Sequence, residues 1–181
     1  MTILVATQDE YALVKKHLPE FNVLRTGVGA SNVIKSCSAL LTQFVKAGNQ
    51  EPIINIGFCG SNTLPKGTVV EVGRTFRLKN RNVEFEDYHN GLILSDSEHH
   101  CFTSNNFVTE SNEPDGSIYD MELNYIAAFP FELLGSIKIV SDNLDVCEYE
   151  TNVENSPKDI WSKVRELVEI ISRRTSKETS L

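Results

Sequence analysis

The stretch Ile3-Leu4-Val5-Ala6-Thr7-Gln8-Asp9-Glu10 decides the fold class of this chain. Its first four residues form a continuous apolar run, which is typical of a strand buried on both faces of a sheet. A polar turn follows, and apolar residues then recur at near-helical spacing as far as Leu18. The acidic residues at positions 9 and 10 suit the positive end of a helix dipole. The stretch therefore predicts a strand, a tight turn and a helix.

The same alternation continues along the chain. We predict further strands over residues 21–25, 52–56, 68–72 and 135–140, with short candidates over 91–94 and 100–103. We predict helices over about 26–46, over 119–129, and from Ser156 to about 174, with Ser156 as N-cap and Pro157 at the first helical position. This order indicates an α/β fold, a three-layer αβα sandwich around a mixed, mostly parallel central sheet. We expect one domain over residues 1–174 and a frayed tail over 175–181.

Composition and charge narrow the range of partners. The chain has 181 residues, of which 40% are hydrophobic and 23% charged, as in ordinary globular domains. Its formal net charge of −8 makes nucleic acid and anionic membranes poor partners, because the surface repels polyphosphate. The first residues lack a basic leader, and no apolar run approaches the length of a membrane span. We therefore expect a cytoplasmic protein that binds a small, neutral or weakly charged molecule.

The cysteines and histidines do not predict a metal site. Cys37, Cys59, Cys101 and Cys147 form no Cys-x-x-Cys pair, and no Cys/His cluster has the spacing of zinc ligands. His99 and His100 precede Cys101, but neighbouring residues of a strand point to opposite faces. We expect reduced, mostly buried thiols and no bound metal.

Three acidic residues are candidates for chemistry. Asp142 follows a predicted strand directly, and Glu10 and Glu122 lie where helices are predicted to begin. Ligands of open α/β sheets bind at the carboxyl ends of strands, where burial raises the pKa of a carboxyl group toward that of a useful proton donor. Each residue also has a purely structural interpretation: an Asx turn or N-cap for Asp142, and a solvated first-turn acid for the two glutamates. The residues alone leave both interpretations open.

The order of short motifs along the chain is more specific than any one of them. The motifs are Val5–Glu10, Thr26–Gly29, Ile54–Gly60, Thr103–Val108, Asp120-Met121-Glu122 and Val140-Ser141-Asp142. In this order they resemble the 5'-methylthioadenosine/S-adenosylhomocysteine nucleosidase family of the nucleoside phosphorylase superfamily. The resemblance runs from residue 3 to about 145 and implies a nucleoside phosphorylase-like sandwich.

The resemblance implies a role for individual residues. Asp142 matches the acid that protonates N7 of the departing purine, and Ser141 matches the serine that orients it. Glu10 matches the carboxylate that activates the attacking water. The remaining substrate-binding positions are Glu122 on the ribose hydroxyls, Met121 against the sugar, Phe107 stacked on the base, the Val108 backbone at the base edge, Gly57, and Phe58 at the sugar pocket. Phe58 stands where the family usually has a small residue, a departure that would reshape that pocket.

The implied reaction is hydrolysis of the C1'–N9 bond of a purine nucleoside, as in methionine salvage. Protonation of N7 lets the purine leave as a neutral molecule, while nearby carboxylates stabilise the oxocarbenium-like sugar. The resemblance also implies a homodimer. The reaction needs no metal or organic cofactor.

Two other functions remain open. A phosphorylase of this superfamily would hold phosphate with arginines at the positions of Glu10 and Asn55, and neither residue neutralises phosphate. The nearest basic candidate is Arg25, which we interpret as a surface charge at a strand end. The second alternative is a nucleoside-binding protein that has kept the fold and lost catalysis. A dinucleotide-binding domain is a weaker alternative, because the segment 26–31 lacks the third glycine of the fingerprint.

Overall fold

The computed structural model describes residues 1–78, 91–148 and 157–174. Its helices are α1 (Gln8–His17), α2 (Ala30–Ala47), α3 (Leu123–Ala127) and α4 (Lys158–Ser172). Its strands are β1 (Thr2–Val5), β2 (Asn22–Arg25), β3 (Ile53–Ser61), β4 (Val69–Glu71), β5 (Arg74–Arg77), β6 (Leu92–Ile93), β7 (His100–Thr103), β8 (Ile118–Asp120) and β9 (Leu133–Asp142). Ser156 and the predicted tail over 175–181 lie outside the described residues.

These strands form one mixed sheet in the described part of the chain, ordered β2-β1-β3-β8-β7-β5-β6. β3 is its central strand. It pairs in parallel with β1 on one edge and with β9 along most of the other, while β8 joins it antiparallel at Gly60 and Ser61. β4 pairs antiparallel with β9. Parallel pairings outnumber antiparallel ones, as predicted.

Helices cover both faces of the sheet. On one face, apolar residues of α1 and α4, among them Val14 and Val164, pack with alternate residues of β3 and β9, such as Ile56 and Ile137. On the other face, α2 and α3 pack over β1 and the start of β3. Both clusters are almost completely buried. The predicted αβα sandwich is therefore confirmed.

Four predicted elements differ from the structure. The helix predicted over 119–129 begins only at Leu123, because Ile118–Asp120 form β8 and pair with both β3 and β7. Pro157 is not the first helical residue of α4 but its N-cap, with an extended ψ of 152°. Both central strands are also longer than predicted, so that Asp142 is the last residue of β9. No helix in the described ranges has the length and apolar character needed to cross a bilayer.

Candidate active site

A cavity of about 190 Å³ lies where β1, β3 and β9 reach their carboxyl ends. Seven of the nine predicted site residues line it: Glu10, Phe58, Phe107, Val108, Met121, Glu122 and Asp142. The other two, Ser141 and Gly57, are not part of the lining, but each lies against a carboxylate that is. The sheet topology thus brings together residues that are up to 132 positions apart in the chain, from Glu10 to Asp142.

Glu10 is held by three backbone N–H groups. Its Oε2 accepts hydrogen bonds from Ala6 at 2.7 Å and Thr7 at 2.9 Å, and its Oε1 accepts one from Phe58 at 2.9 Å. The Thr7 side chain in turn accepts from the Glu10 backbone, completing a capping box at the start of α1. One side chain therefore caps α1, joins β1 to β3 and presents a carboxylate to the cavity.

A buried ion pair lies beside Glu10. Lys138 of β9 donates to Oδ2 of Asp120 at 2.7 Å, and both side chains are at most 2% exposed. Asp120 also accepts from Thr103 at 2.6 Å and from the Leu123 backbone at 2.9 Å. Asp120 raises the pKa of Lys138 above its ordinary value, although burial alone would lower it. Lys138 is therefore a permanent cation next to the cavity.

Gly57 makes room for these charged groups. A Cβ at this position would lie 3.2 Å from Oε1 of Glu10 and 3.3 Å from Nζ of Lys138. Any side chain would thus press on both. The resemblance implies a substrate-binding Gly57; in the structure Gly57 lies behind the cavity wall, where its small size lets the charged groups converge.

Glu122 links the cavity to the start of α2. Its Oε1 accepts from the Gly29 N–H at 2.9 Å, and Oε2 accepts from the Met121 N–H at 3.3 Å. Burial, reinforced by the nearby negative charge of Asp120, raises the pKa of Glu122 to about 8. At neutral pH this group is therefore largely protonated in the free protein, and can donate as well as accept hydrogen bonds.

Asp142 is fully buried at the end of β9. Its Oδ1 accepts from the Leu144 N–H at 3.0 Å, and its Oδ2 lies 2.7 Å from the Ser141 hydroxyl. Burial raises the pKa of Asp142, while the hydrogen bonds from Ser141, Leu144 and Asp145 act in the opposite direction. The net effect is a carboxyl group that holds its proton to higher pH than an exposed aspartate.

The Ser141 hydroxyl makes a second contact, at 3.1 Å, with the carbonyl oxygen of Cys59. A carbonyl oxygen only accepts, and a hydroxyl has one proton to donate. When Ser141 donates to Cys59, its contact with Asp142 needs a proton on Oδ2 of the acid. When Asp142 is ionised, the same hydroxyl donates to the carboxylate instead. The arrangement accommodates both protonation states of Asp142.

The remaining wall is apolar and aromatic. Tyr119 lines the cavity and stacks on Phe102 at a centroid distance of 5.8 Å, and Phe102 stacks on Phe76 at 5.3 Å. Val108 and Leu144 pack on this group of rings. The face of a flat aromatic ring, such as that of a nucleobase, fits a wall of this kind.

Phe58 lies mainly in the hydrophobic core. It lines the cavity, but its side chain belongs to the main hydrophobic cluster beneath α1 and α4 and is only 7% exposed. Its backbone N–H holds Glu10. Because successive residues of β3 point to opposite faces, Phe58 is directed into the core together with Ile54 and Ile56.

Known proteins resemble this chain in structure rather than in sequence. No protein-family model and no curated protein matches the sequence. The fold, however, is similar to a 5'-methylthioadenosine/S-adenosylhomocysteine nucleosidase from Neisseria meningitidis in complex with methylthio-immucillin-A, with a TM-score of 0.69, 15% identity, and coverage of 92% of this chain and 97% of that one. This chain has the MTA/SAH nucleosidase fold.

Two further nucleosidase structures have a fold similar to that of this chain. A Helicobacter pylori mutant with 5'-methylthioadenosine in the active site gives a TM-score of 0.68 at 13% identity, covering 93% of this chain and 97% of that one. The Streptococcus pneumoniae MTA/SAH nucleosidase in complex with 8-aminoadenine gives 0.67 at 14% identity, covering 95% and 98%.

Within this nucleosidase fold, the positions where a phosphorylase would hold phosphate carry no cation. Asn55 is buried, and both ends of its amide are hydrogen-bonded: it donates to the Leu4 carbonyl and accepts from Ser136. Arg25 is exposed and donates to the Gln8 side chain, as expected for a surface charge at a strand end. Among the described residues, the cavity lining contains no lysine or arginine.

Three residues of the candidate site have no role predicted from the sequence: Lys138, Asp120 as its partner, and Leu144. A signal was present for Lys138, since a lysine that interrupts the apolar run Ile137–Val140 of a buried strand needs a buried anion. The histidine and cysteine positions 99–101 form no metal cluster in the described ranges. Cys37, Cys59 and Cys101 are buried free thiols, and Cys147 is exposed.

Proposed function

We propose that this protein is a purine nucleosidase that hydrolyses the C1'–N9 bond, with Asp142 as the acid that protonates N7 of the base. The observation that carries the proposal is the environment of Asp142. It is a buried carboxyl group at the edge of a largely apolar cavity, with a raised pKa and a neighbouring hydroxyl suited to both of its protonation states. A positioned acid of this kind typically contributes 10²–10⁴-fold to a rate.

The other carboxylates support the sugar side of the reaction. As the base departs, the ribosyl carbon gains positive charge, and nearby anions stabilise it. Glu10 lies in the cavity wall with an orientation fixed by three N–H groups, which suits a group that must hold an attacking water in one place. Glu122 is suited to binding the ribose hydroxyls, with Met121 against the sugar. Phe107 and Val108 are then assigned to the base.

Water is the proposed nucleophile. Phosphate would have to approach a wall that, among the described residues, carries four acidic side chains, Glu10, Asp120, Glu122 and Asp142, and no lysine or arginine. Lys138 lies nearby, but its charge is balanced by Asp120. A wall that offers the Glu10 carboxylate and no cation of its own opposes binding of a dianion.

The proposals on the domain, the oligomeric state, the location and the substrate rest on the resemblance to the nucleosidase family. We propose that residues 1–174 act as one domain, that the protein functions as a cytoplasmic homodimer, and that its substrate is a nucleoside of methionine salvage such as 5'-methylthioadenosine. The proposed reaction requires no metal or organic cofactor.

The test is a release assay. Purified protein is incubated with 5'-methylthioadenosine, S-adenosylhomocysteine, 5'-deoxyadenosine, adenosine, inosine and guanosine, with and without phosphate, and free base is measured by chromatography. We expect base release without phosphate. Release only with phosphate would identify a phosphorylase, and binding without release would identify a nucleoside-binding protein.

A further inference from the structure

Leu144 has a backbone conformation that is unfavourable for a leucine. Its φ is +66°, and every other described residue with a positive φ is a glycine. In this region the Cβ of an L-residue crowds its own backbone, so a leucine remains there only when its surroundings hold it. Leu144 lies two residues after Asp142 and lines the same cavity.

Both ends of the residue are anchored at the proposed site. Its N–H donates to Oδ1 of Asp142 at 3.0 Å. Its side chain is half-buried and packs on the cluster of Phe102 and Tyr119. Its Cδ2 lies 3.1 Å from where a Cβ would stand on Gly60, and Oδ1 of Asp142 lies 2.8 Å from the same point. Leu144 and the acid therefore share the space above Gly60.

We propose that Leu144 is a positioning residue for Asp142, an inference that rests on the proposed function. Its N–H holds Oδ1 as a hydrogen-bond acceptor, which leaves Oδ2, the oxygen beside Ser141, to carry the transferable proton. Packing of the leucine side chain holds the turn in the conformation that aims this N–H at the acid.

The choice of side chain follows from this role. Glycine would adopt the same φ without strain but would also allow many other conformations, so the N–H would no longer be fixed. Asparagine tolerates the left-handed region but has no apolar group to pack on the rings. Methionine keeps most of the apolar contact with an unbranched Cβ. We expect methionine to retain the function of Leu144, and glycine and asparagine to lose it.

The experiment compares Leu144→Gly, Leu144→Asn and Leu144→Met with the control Val146→Gly. Val146 lies in the same segment, is 46% exposed and is not part of the cavity wall, so its variant adds backbone freedom but leaves the Leu144 N–H and side chain in place. We expect kcat to fall about tenfold or more in the glycine and asparagine variants, as misplacement of a catalytic group does. Leu144→Met should recover most of the kcat that is lost in Leu144→Gly, and Val146→Gly should have a kcat close to that of the wild type.

A second readout does not depend on turnover. The carboxyl carbon of Asp142 is titrated by NMR in the wild type and in Leu144→Gly. Since the Leu144 N–H stabilises the carboxylate, and repulsion from Glu148 acts in the opposite direction, loosening the turn should raise the pKa of Asp142 further. An unchanged kcat and an unchanged pKa would overturn the proposal, as would a change in KM alone. If the wild type releases no base, the proposed function fails, and the titration still decides the positioning role.

Discussion

Lys138 and Asp120 form an ion pair that is more completely buried than any other in the described part of the chain, with a separation of 2.7 Å between Nζ and Oδ2. They lie on β9 and β8, two strands that are both paired with β3. Two charges removed from water are stable only if each keeps its partners. This ion pair beside the cavity therefore stabilises the sheet only as long as both partners are present.

Replacing Asp120 by Ala should destabilise the protein strongly. The variant leaves Lys138 as an unpaired buried cation, and loss of one partner typically costs about 3–5 kcal/mol in the free energy of unfolding. Urea unfolding measures this directly. The matched control is Glu148→Ala, which breaks the surface pair with Lys66 and should change the midpoint very little. Similar midpoints for the two variants would contradict the argument.

Asp142→Asn should abolish turnover while nucleoside binding persists. The amide has nearly the shape of the acid but cannot supply a proton to N7, and loss of a positioned acid costs about 10²–10⁴-fold in rate. Release of free base measures turnover, and calorimetric titration with the best wild-type substrate measures affinity. A variant with full turnover would remove Asp142 from its proposed role.

Ser141→Ala should change the pH dependence as well as the rate. The serine hydroxyl lowers the pKa of Asp142 by donating to the carboxylate, so its removal raises that pKa. A general acid loses activity as pH rises through its pKa, so the alkaline limb of the kcat profile should move to higher pH. The rate should fall, because the carboxylate formed on proton transfer is less well stabilised.

Two variants make this serine test specific. Ser141→Thr retains the hydroxyl, so the alkaline limb of its kcat profile should lie at the same pH as in the wild type. Ser136→Ala removes another buried serine hydroxyl of β9, one that donates to Asn55 away from the cavity, and should leave the limb in place. A limb that moves equally in Ser136→Ala would show that the effect is not local to Asp142.

Glu122 should make stability fall with rising pH. Its pKa is raised to about 8 in the folded protein, from an ordinary value of 4.5, so the folded state binds more protons between these values. The stability associated with its proton is complete below about 4.5 and is lost as pH rises through about 8. The slope approaches 1.4 kcal/mol per pH unit inside this window.

Urea unfolding of wild type and Glu122→Gln at several pH values between 5 and 9 isolates this contribution, since the amide does not titrate there. We expect the difference in unfolding free energy between the two proteins to change with pH, in favour of the variant at the alkaline end. Parallel curves would mean that Glu122 is already ionised at neutral pH.

Local patterns in the sequence predicted most of the architecture, because buried strands and amphipathic helices leave strong periodic signals. They failed at Tyr119 and Asp120, whose strand conformation depends on pairing with residues 59 and 17 positions away, Gly60 and Thr103. The αL turn at Leu144 also has no local signal, since the usual marker is glycine.

The sequence predicted which residues come together in the candidate site, but not how they are arranged there. Ordered motifs identified Glu10, Glu122 and Asp142, which all line one cavity. Two features were not visible: that Gly57 lies behind the wall, and that the ring of Phe58 points into the core. Both depend on which face of β3 each residue occupies, and that is fixed by register with β9.

The three N–H bonds to Glu10 have an evolutionary consequence. A descendant of this chain that lost its activity would still need this glutamate to begin α1 and to hold β1 against β3. Selection for folding alone would preserve it. Retention of Glu10 in a distant homologue is therefore poor evidence of catalysis, and surveys for inactive members should compare Asp142 and the hydroxyl at position 141 instead.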